Sequence, residues 1–507
     1  MKNLFRTLLL SLGMACSLTA CQDINDTYDH GDGEIRYIGK CSDLTVTAGW
    51  ERLIVKWTNN VDPIIDKVKV KWSADNMADS IFLERGTTEY SIPNLGNNTY
   101  KIEVCSVDKD GTPSISNTIY GRPYTEQHEE VNSFTKIIAK QYFFGDHLVM
   151  LFSGWQDGIK SAVLKYTQKD GSMDELNLTK DIVASELYEL PVPIDTSKPI
   201  TLYRTGLLND CPDEIAFSPY ILQADQTYTS DFKDFVKTKY GEGSKEMDAN
   251  GNINKSWTDA VESLELDANF NSFEDLLNFP KLKKIILGKN RYQTELGAAD
   301  ATRGQYKLYD TEISVKVLDL LHKFNGLTVE RYNKHYATLT NLPYMKDMGM
   351  SKLPNYEYID LSEAKISMTP KDDEDYNSHL DYIIDGNTSS CWAPLNTTAM
   401  VTYQITIDLQ KTIEASGIKL VQKSFSEYAQ DQDIAPTTIQ AEYAGGDGVF
   451  HNATHLETNY IGNSSGETIF LPFTGGKKNV RYIRLSVPSQ FYHNFYQVTL
   501  AEVGLYK

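Results

Sequence analysis

The sequence predicts a mainly β, multidomain protein: two β-sandwiches, a short α/β repeat solenoid and a C-terminal β-sandwich. Three observations carry that expectation. First, 507 residues are too many for one core, and at roughly 100–200 residues per domain three to five domains are expected. Second, short apolar runs with period-two alternation, broken by polar turns, recur from Tyr37 to Gln223 and again near the C-terminus. Third, 31 tyrosines against 19 phenylalanines suit half-exposed strands and binding surfaces. With only 32 Gly and 17 Pro, collagen-like and Pro/Gly-rich disordered classes are excluded. The net charge of -20 opposes docking along nucleic-acid phosphates, so no nucleic-acid partner is expected.

Residues 1–20 read as a leader. Lys2 and Arg6 form a positive start, Leu8 to Met14 is apolar but too short to span a bilayer, and Leu18-Thr19-Ala20-Cys21 follows. That tetrad resembles the bacterial lipobox. The resemblance implies cleavage before Cys21, lipid on its thiol and amine, and membrane attachment through the N-terminus. Gln22, Asp23, Asn25 and Asp26 resemble the export signal of surface lipoproteins in glycan-foraging Gram-negative bacteria, which implies an outer-membrane, cell-surface location. Residues 21–35 read as a lipidated, flexible tether. Cys41, Cys105, Cys211 and Cys391 remain; their spacing suggests no disulfide framework, and buried free thiols are expected, although a Cys41–Cys105 bridge is conceivable.

Residues 36–124 alternate cleanly at Leu44–Thr47, Leu53–Trp57, Val68–Trp72 and Tyr100–Val104. With Trp57 on the second run and Leu95 five residues before Tyr100, the segment resembles a fibronectin type III domain, which implies a β-sandwich and says nothing of a ligand. Residues 125–224 repeat the theme more loosely, through Leu148–Phe152, Ser161–Tyr166 and a turn at Lys169–Gly171, and read as a second fibronectin-like sandwich. In residues 225–360 Leu264, Leu266 and Asn269 recur 21 residues on as Ile285, Leu287 and Asn290. A third match is expected at Tyr356, Ile359 and Leu361, and a helix near Val315 to Phe324. This spacing resembles leucine-rich repeats, in which Asn satisfies backbone groups as the strand turns, and implies a short solenoid. Its role would be a spacer or a protein-binding face.

Residues 361–507 carry the most specific pattern. Asp385-Gly386-Asn387-Thr388-Ser389-Ser390-Cys391-Trp392 is followed by a strand ending Asp408-Leu409, the Asp447-Gly448 turn, Val480–Leu485 and Ala501-Glu502-Val503. In that order these elements resemble a coagulation factor 5/8 type C (discoidin) domain, with Phe450 where the family carries Trp and Ser390 where it carries Thr. The resemblance implies an eight-stranded, galactose-binding-like jelly-roll sandwich. It also implies a structural Ca²⁺ held by Asp385, Asn387, Ser390 and Glu502, oxygen ligands of the kind a hard cation takes. The alternative is that Asp385 merely caps a tight turn.

Sugar recognition in the carbohydrate-binding branch of that family implies aromatic platforms on the end loops, beside groups that hydrogen-bond hydroxyls. Two stretches qualify. One is Gln422 to Asp433, with Phe425 and Tyr428; the other is Gln490 to Gln497, with Phe491 and Tyr492 as platform and His493 and Asn494 as polar partners. Lys477, Lys478, Arg481 and Arg484 could meet an acidic glycan, though strand-edge charge is the commoner explanation. No G-x-S-x-G, H-E-x-x-H or phosphate-binding loop occurs, and His451 and His455, though four apart, fall in a turn of a β-domain, where helical zinc spacing does not apply. No catalytic residues are therefore expected. The expected function is capture of a galactose- or N-acetylgalactosamine-type glycan at the cell surface, alongside an outer-membrane glycan importer. The rival is a protein-binding adhesin or assembly factor that uses the repeat face and sandwich edges.

Overall fold

The computed structural model describes residues 37–507 apart from 76, 209, 224–225, 295–304, 374 and 426–433. Cys21, the tether and Tyr428 therefore lie outside the described residues. The chain is mainly β, and its contacts divide it into two compact units. Among the described residues, one comprises 37–135, 157–161 and 204–218, and the other holds the remainder. No described helix is long and apolar enough to cross a membrane.

In the first unit, strands Ser42–Gly49, Arg52–Thr58 and Glu89–Ile92 form one antiparallel sheet. Met77–Glu84, Ile65–Ala74, Tyr100–Asp108 and Asn117–Gly121 form the other. Alternation works as the sequence implies: Leu53, Val55 and Trp57 are buried on a strand of one sheet and Val68, Val70 and Trp72 on a strand of the other, while the intervening lysines point away from the core. Tyr100 is buried, and its hydroxyl oxygen accepts a bond from the Gly96 backbone N–H at 3.0 Å. The thiols of Cys41, Cys105, Cys211 and Cys391 are all free.

The next sandwich repeats the three-plus-four layout, with sheets ordered Leu187–Glu189, His147–Phe152, Ile138–Phe144 and Met173–Asn177, Ile159–Thr167, Thr201–Gly206, Ile215–Ile221. Its smaller sheet shares a core with the repeat segment, since Tyr142, Phe144, Val149 and Leu151 belong to the same cluster as Leu264, Leu266, Ile285 and Leu287.

The repeat segment builds a parallel sheet in chain order from Ser263–Leu266, Lys284–Leu287, Thr328–Tyr332 and Met345–Gly349. Leu264 faces Ile285, and Ile285 faces Val329, so the 21-residue offset is one strand-to-strand step. The third strand is Thr328–Tyr332, not the expected match at Tyr356 to Leu361. Tyr358 and Ile359 pair instead with Tyr506 and Leu505, as an edge strand of the C-terminal sandwich that starts before the expected boundary at 361. The true third repeat is disguised because Arg331 occupies the second apolar position. Its buried guanidinium pairs with Asp347 at 2.5 and 2.9 Å and donates to Leu339 O at 2.6 Å. Asn269 accepts from the Lys307 N–H at 2.8 Å, and Asn333 donates to the carbonyls of Gly288 and Arg291 at 3.1 and 2.6 Å. Asn290 departs from that role and donates to Glu265 and Asp267. The helix Thr311–Asn325 is capped by Asp310, which accepts from the Ile313 N–H, and ends on Gly326 at φ +66°, a left-handed position suited to glycine.

The C-terminal sandwich faces a four-stranded sheet (Tyr358–Ile359, Glu502–Tyr506, Gly417–Val421, Thr468–Pro472) against a six-stranded one. The latter runs Lys365–Thr369, Thr402–Ala415, Lys478–Pro488, Thr438–Ala444 and Phe450–Asn452, with Asn459–Tyr460 joined to Thr438–Ala444. The surplus over the expected eight strands is the pair of two-residue strands at 358–359 and 459–460. Trp392, Ile405, Ile418, Ile439, Leu485 and Leu505 fill the space between the sheets. Thr402 faces Pro488, Gln440 faces Ser486, and Val421 faces both Thr468 and Glu502. The connections that leave Thr369, Val421, Tyr460 and Pro488 consequently start at one end of the sandwich.

Candidate functional site

At that end, Gln490 to Gln497 is not an open loop but a tight hairpin. Strands Gln490–Tyr492 and Phe495–Gln497 pair Phe491 with Tyr496 and Tyr492 with Phe495. The two turn residues, His493 and Asn494, have φ of +47° and +69°, as a two-residue turn with both central residues left-handed requires. Asparagine tolerates that region better than most residues, so Asn494 has a backbone reason to be there. The hairpin is pinned from outside. Thr397 and Tyr496 exchange backbone hydrogen bonds of 2.8 and 3.1 Å, and Gln497 donates to the Tyr492 carbonyl at 3.1 Å.

Pinning leaves the aromatic faces outward. Phe491 is 64% exposed and Phe495 44%, with Phe491 against Tyr496 at 5.3 Å and Tyr492 edge-on to His493 at 4.1 Å between ring centres. Leu395 and Met400, on the loop that Thr397 ties to the hairpin, are 51% and 62% exposed. Sequence reading missed Leu395 and Met400 because no periodicity separates them from core residues beside Pro394. Phe425 is placed differently: half-buried, with the Lys423 amine 5.2 Å from its ring centre and its backbone N–H donating to the Ser465 hydroxyl at 2.8 Å.

The four residues expected to hold a cation come together. Asp385 Oδ1 accepts from the Asn387 N–H at 2.7 Å, and Gly386 stands at φ +76°. The Ser390 hydroxyl lies 2.8 Å from Asp385 Oδ2 and 2.7 Å from the Asn387 carbonyl. Glu502 Oε1 accepts from the Gly386 N–H at 3.3 Å, whereas its Oε2 is buried without a hydrogen-bond partner. A pocket of about 270 Å³ lies beside these groups, lined in part by Tyr358, Lys419, Asp385 and Glu502. Asp385 does cap the turn, so the two sequence readings of this loop are compatible. Among the described residues no three His, Cys, Asp or Glu side chains cluster as a metal site. A cation here would rest on two carboxylates plus amide, hydroxyl and carbonyl oxygens, which suits Ca²⁺ and not zinc. The orphaned Glu502 oxygen fits such a group.

Burial, with Asp385 close by, pushes the Glu502 carboxyl up from 4.5 to about 7. A carboxyl whose folded value is raised binds its proton more tightly in the folded state. Its contribution to stability is therefore full below about 4.5 and lost as pH rises through about 7. In chelator, the melting temperature of the unit holding this domain should fall from pH 5 to pH 8, and Glu502→Gln should flatten much of that slope. A residual slope of the same sign is expected from Asp275, whose carboxyl burial also lifts to about 7. Calcium at 100-fold over Kd should add about 2.7 kcal/mol to the wild type at pH 8 and nothing to Glu502→Gln. Equal calcium effects on the two proteins, in differential scanning calorimetry, would contradict this placement.

Three of the four charges noted on the later strands, Lys477, Arg481 and Arg484, are engaged internally. Arg484 forms a two-point pair with Glu442 at 2.6 and 2.7 Å and stacks 3.8 Å from the Phe450 ring centre, Arg481 pairs with Asp408, and Lys477 with Glu414. His455 donates toward the carbonyls of Thr238 and Lys237, at 2.9 and 3.2 Å, at the C-terminal end of helix Ser230–Tyr240. That is a capping role, separate from His451, which lies against Tyr443.

A family described as a domain of unknown function, DUF4998, matches residues 21–205. Among solved structures, the chain is similar to the Clostridium perfringens module CpGH89CBM32-5 in complex with GalNAc-β-1,3-galactose, at 15% identity over 30% of this chain and 100% of that one, TM-score 0.24. It is also similar to the family 32 CBM of C. perfringens NanJ in complex with galactose, at 16% identity over 30% and 98%, TM-score 0.23. A two-domain fibronectin type III segment of chicken tenascin matches at 12% identity over 36% and 97%, TM-score 0.18. No curated protein matches the chain.

Proposed function

We propose that this chain is a lipid-anchored glycan-binding protein of the outer membrane surface, held there through Cys21 and without catalytic residues of its own. It captures galactose- or N-acetylgalactosamine-type sugars for an outer-membrane glycan importer. The observation that carries the reading is the pinned hairpin, which holds Phe491 and Phe495 in solvent where a folded core has no use for them. A pyranose presents a C–H-rich face that packs on such rings, while Tyr492, His493 and Asn494 supply hydrogen-bonding edges. The discoidin-like motif order supports the same reading, and the Asp385–Glu502 loop would take a structural Ca²⁺ that fixes the loops at this end. The protein-binding alternative has less behind it, because charges on and beside the repeat sheet pair with one another: Lys284 with Glu330, Lys239 with Asp267, Lys289 with Glu265.

A glycan array probed with the chain from Gln22 onward tests the proposal. Terminal galactose or N-acetylgalactosamine glycans should be retained by wild type. Phe491→Ala and Tyr492→Ala should each weaken binding by about 1–2 kcal/mol with the fold intact, since a hairpin aromatic contributes little to the core. Undiminished binding by both variants would place the site elsewhere.

A further inference from the structure

The C-terminal sandwich does not stand alone. Residues 291–294 of the repeat segment lie along its outermost strand, Thr468–Pro472, and reach the turn just before it. Thr468 donates its N–H to Tyr292 O at 2.9 Å, which extends the four-stranded sheet past its edge. The Arg291 guanidinium and the Glu467 carboxylate meet at two points, one of 2.8 Å, with side chains only 9% and 1% exposed. Glu467 Oε2 also accepts from the Ser464 N–H at 3.0 Å. Gln293 donates to the Ser464 hydroxyl at 3.0 Å, and the Thr294 hydroxyl to Ser465 O at 2.8 Å.

The far side of the same turn carries the loop that bears Phe425. Gln422 N–H donates to Glu467 O at 2.8 Å, Gly466 N–H to Lys423 O at 3.0 Å, and Phe425 N–H to the Ser465 hydroxyl at 2.8 Å. Gly466, at φ +63°, fits between the two: a Cβ there would come within 2.7 Å of the Ser424 hydroxyl and 3.0 Å of the Thr294 methyl. The 464–467 turn is thus clamped between a segment from another part of the chain and a loop at the ligand-facing end. Side-chain bonds from Arg291, Gln293 and Thr294 on one side and backbone N–H bonds with residues 422–425 on the other join the two segments through one turn.

We propose that Gln293 and Thr294 are positioning residues for ligand recognition, so that the repeat segment sets the pose of the Phe425 loop and the binding end is a composite of two parts of the chain. The binding arm of this proposal rests on the glycan reading above; its structural arm does not. The test uses the chain from Gln22 onward with Thr294→Val, Gln293→Leu and the conservative Thr294→Ser, and N-acetylgalactosamine as probe. Hydrogen–deuterium exchange should rise several-fold at the amides of Gln422, Phe425 and Gly466 in Thr294→Val and Gln293→Leu, while the 490–497 hairpin stays at its wild-type rate. Thr294→Ser should restore protection. The dissociation constant should rise several-fold in the first two variants, as in Phe425→Ala, at unchanged melting temperature. Unchanged exchange at all three amides in both variants overturns the proposal outright. Altered exchange with wild-type affinity overturns the positioning role. If wild type binds no sugar while exchange responds as described, the glycan reading fails and the clamp stands.

Discussion

Glu467→Ala is expected to remove about 3–5 kcal/mol from the unfolding free energy of the unit that contains the repeat segment and the C-terminal sandwich. The alanine leaves the Arg291 guanidinium, 9% exposed, with no counter-charge and takes the acceptor from the Ser464 N–H. Burial by itself would lower the Arg291 pKa, yet the Glu467 carboxylate holds it above the ordinary arginine value, a sign of how closely the charges are matched. The expected loss measures an abandoned charge rather than the worth of the pair. Replacing both groups with apolar residues, Arg291→Met with Glu467→Leu, should accordingly recover most of the stability. Urea titration of the three proteins separates these cases. A Glu467→Ala loss under about 1 kcal/mol would mean that water reaches the guanidinium and that the interface is open.

Cys21→Ala should abolish lipid attachment altogether and shift the protein from the membrane to the soluble fraction. The lipobox-like Leu18–Cys21 tetrad offers one thiol for acylation, the attachment that the anchoring proposal requires. Metabolic labelling with a fatty acid, followed by fractionation, reads the result directly. A variant that stays in the membrane and still carries label would contradict the anchoring proposal.

The strands of the first sandwich could be read from sequence because one face of each is buried and the other wet, so alternation at Leu53, Val55 and Trp57 reports the sheet face directly. The first two repeats were legible for a related reason: Leu264 and Ile285 occupy equal positions on neighbouring strands. The third was not, since Arg331, buried by pairing with Asp347, stands as a charged residue at the position that Leu266 and Leu287 fill with apolar ones. Chance spacing at Tyr356 to Leu361 then drew the expectation to a segment that edges the next domain. At the candidate site, the Asp385–Ser390 turn was legible because its residues lie within a few positions of one another, and Glu502 beside it because the motif order included it. The conformation of the hairpin was hidden: His493 and Asn494 reveal their left-handed turn only once Phe491 and Tyr496 are seen to pair. The clamp on residues 464–467 joins positions more than 170 apart, and no local pattern encodes such a contact.

On the proposed function, the exposed aromatic hairpin recognises a sugar. Isothermal titration calorimetry of the chain from Gln22 onward, in calcium, with a galactose- or N-acetylgalactosamine-terminated disaccharide tests it most directly. One shallow site facing one or two sugar units buries little area, so one site per chain is expected, with Kd of roughly 0.1–1 mM, or about -4 to -5.5 kcal/mol. Phe491→Ala should weaken that binding by about tenfold. No heat of binding at tens of millimolar sugar, or an unchanged Kd in folded Phe491→Ala, would contradict it.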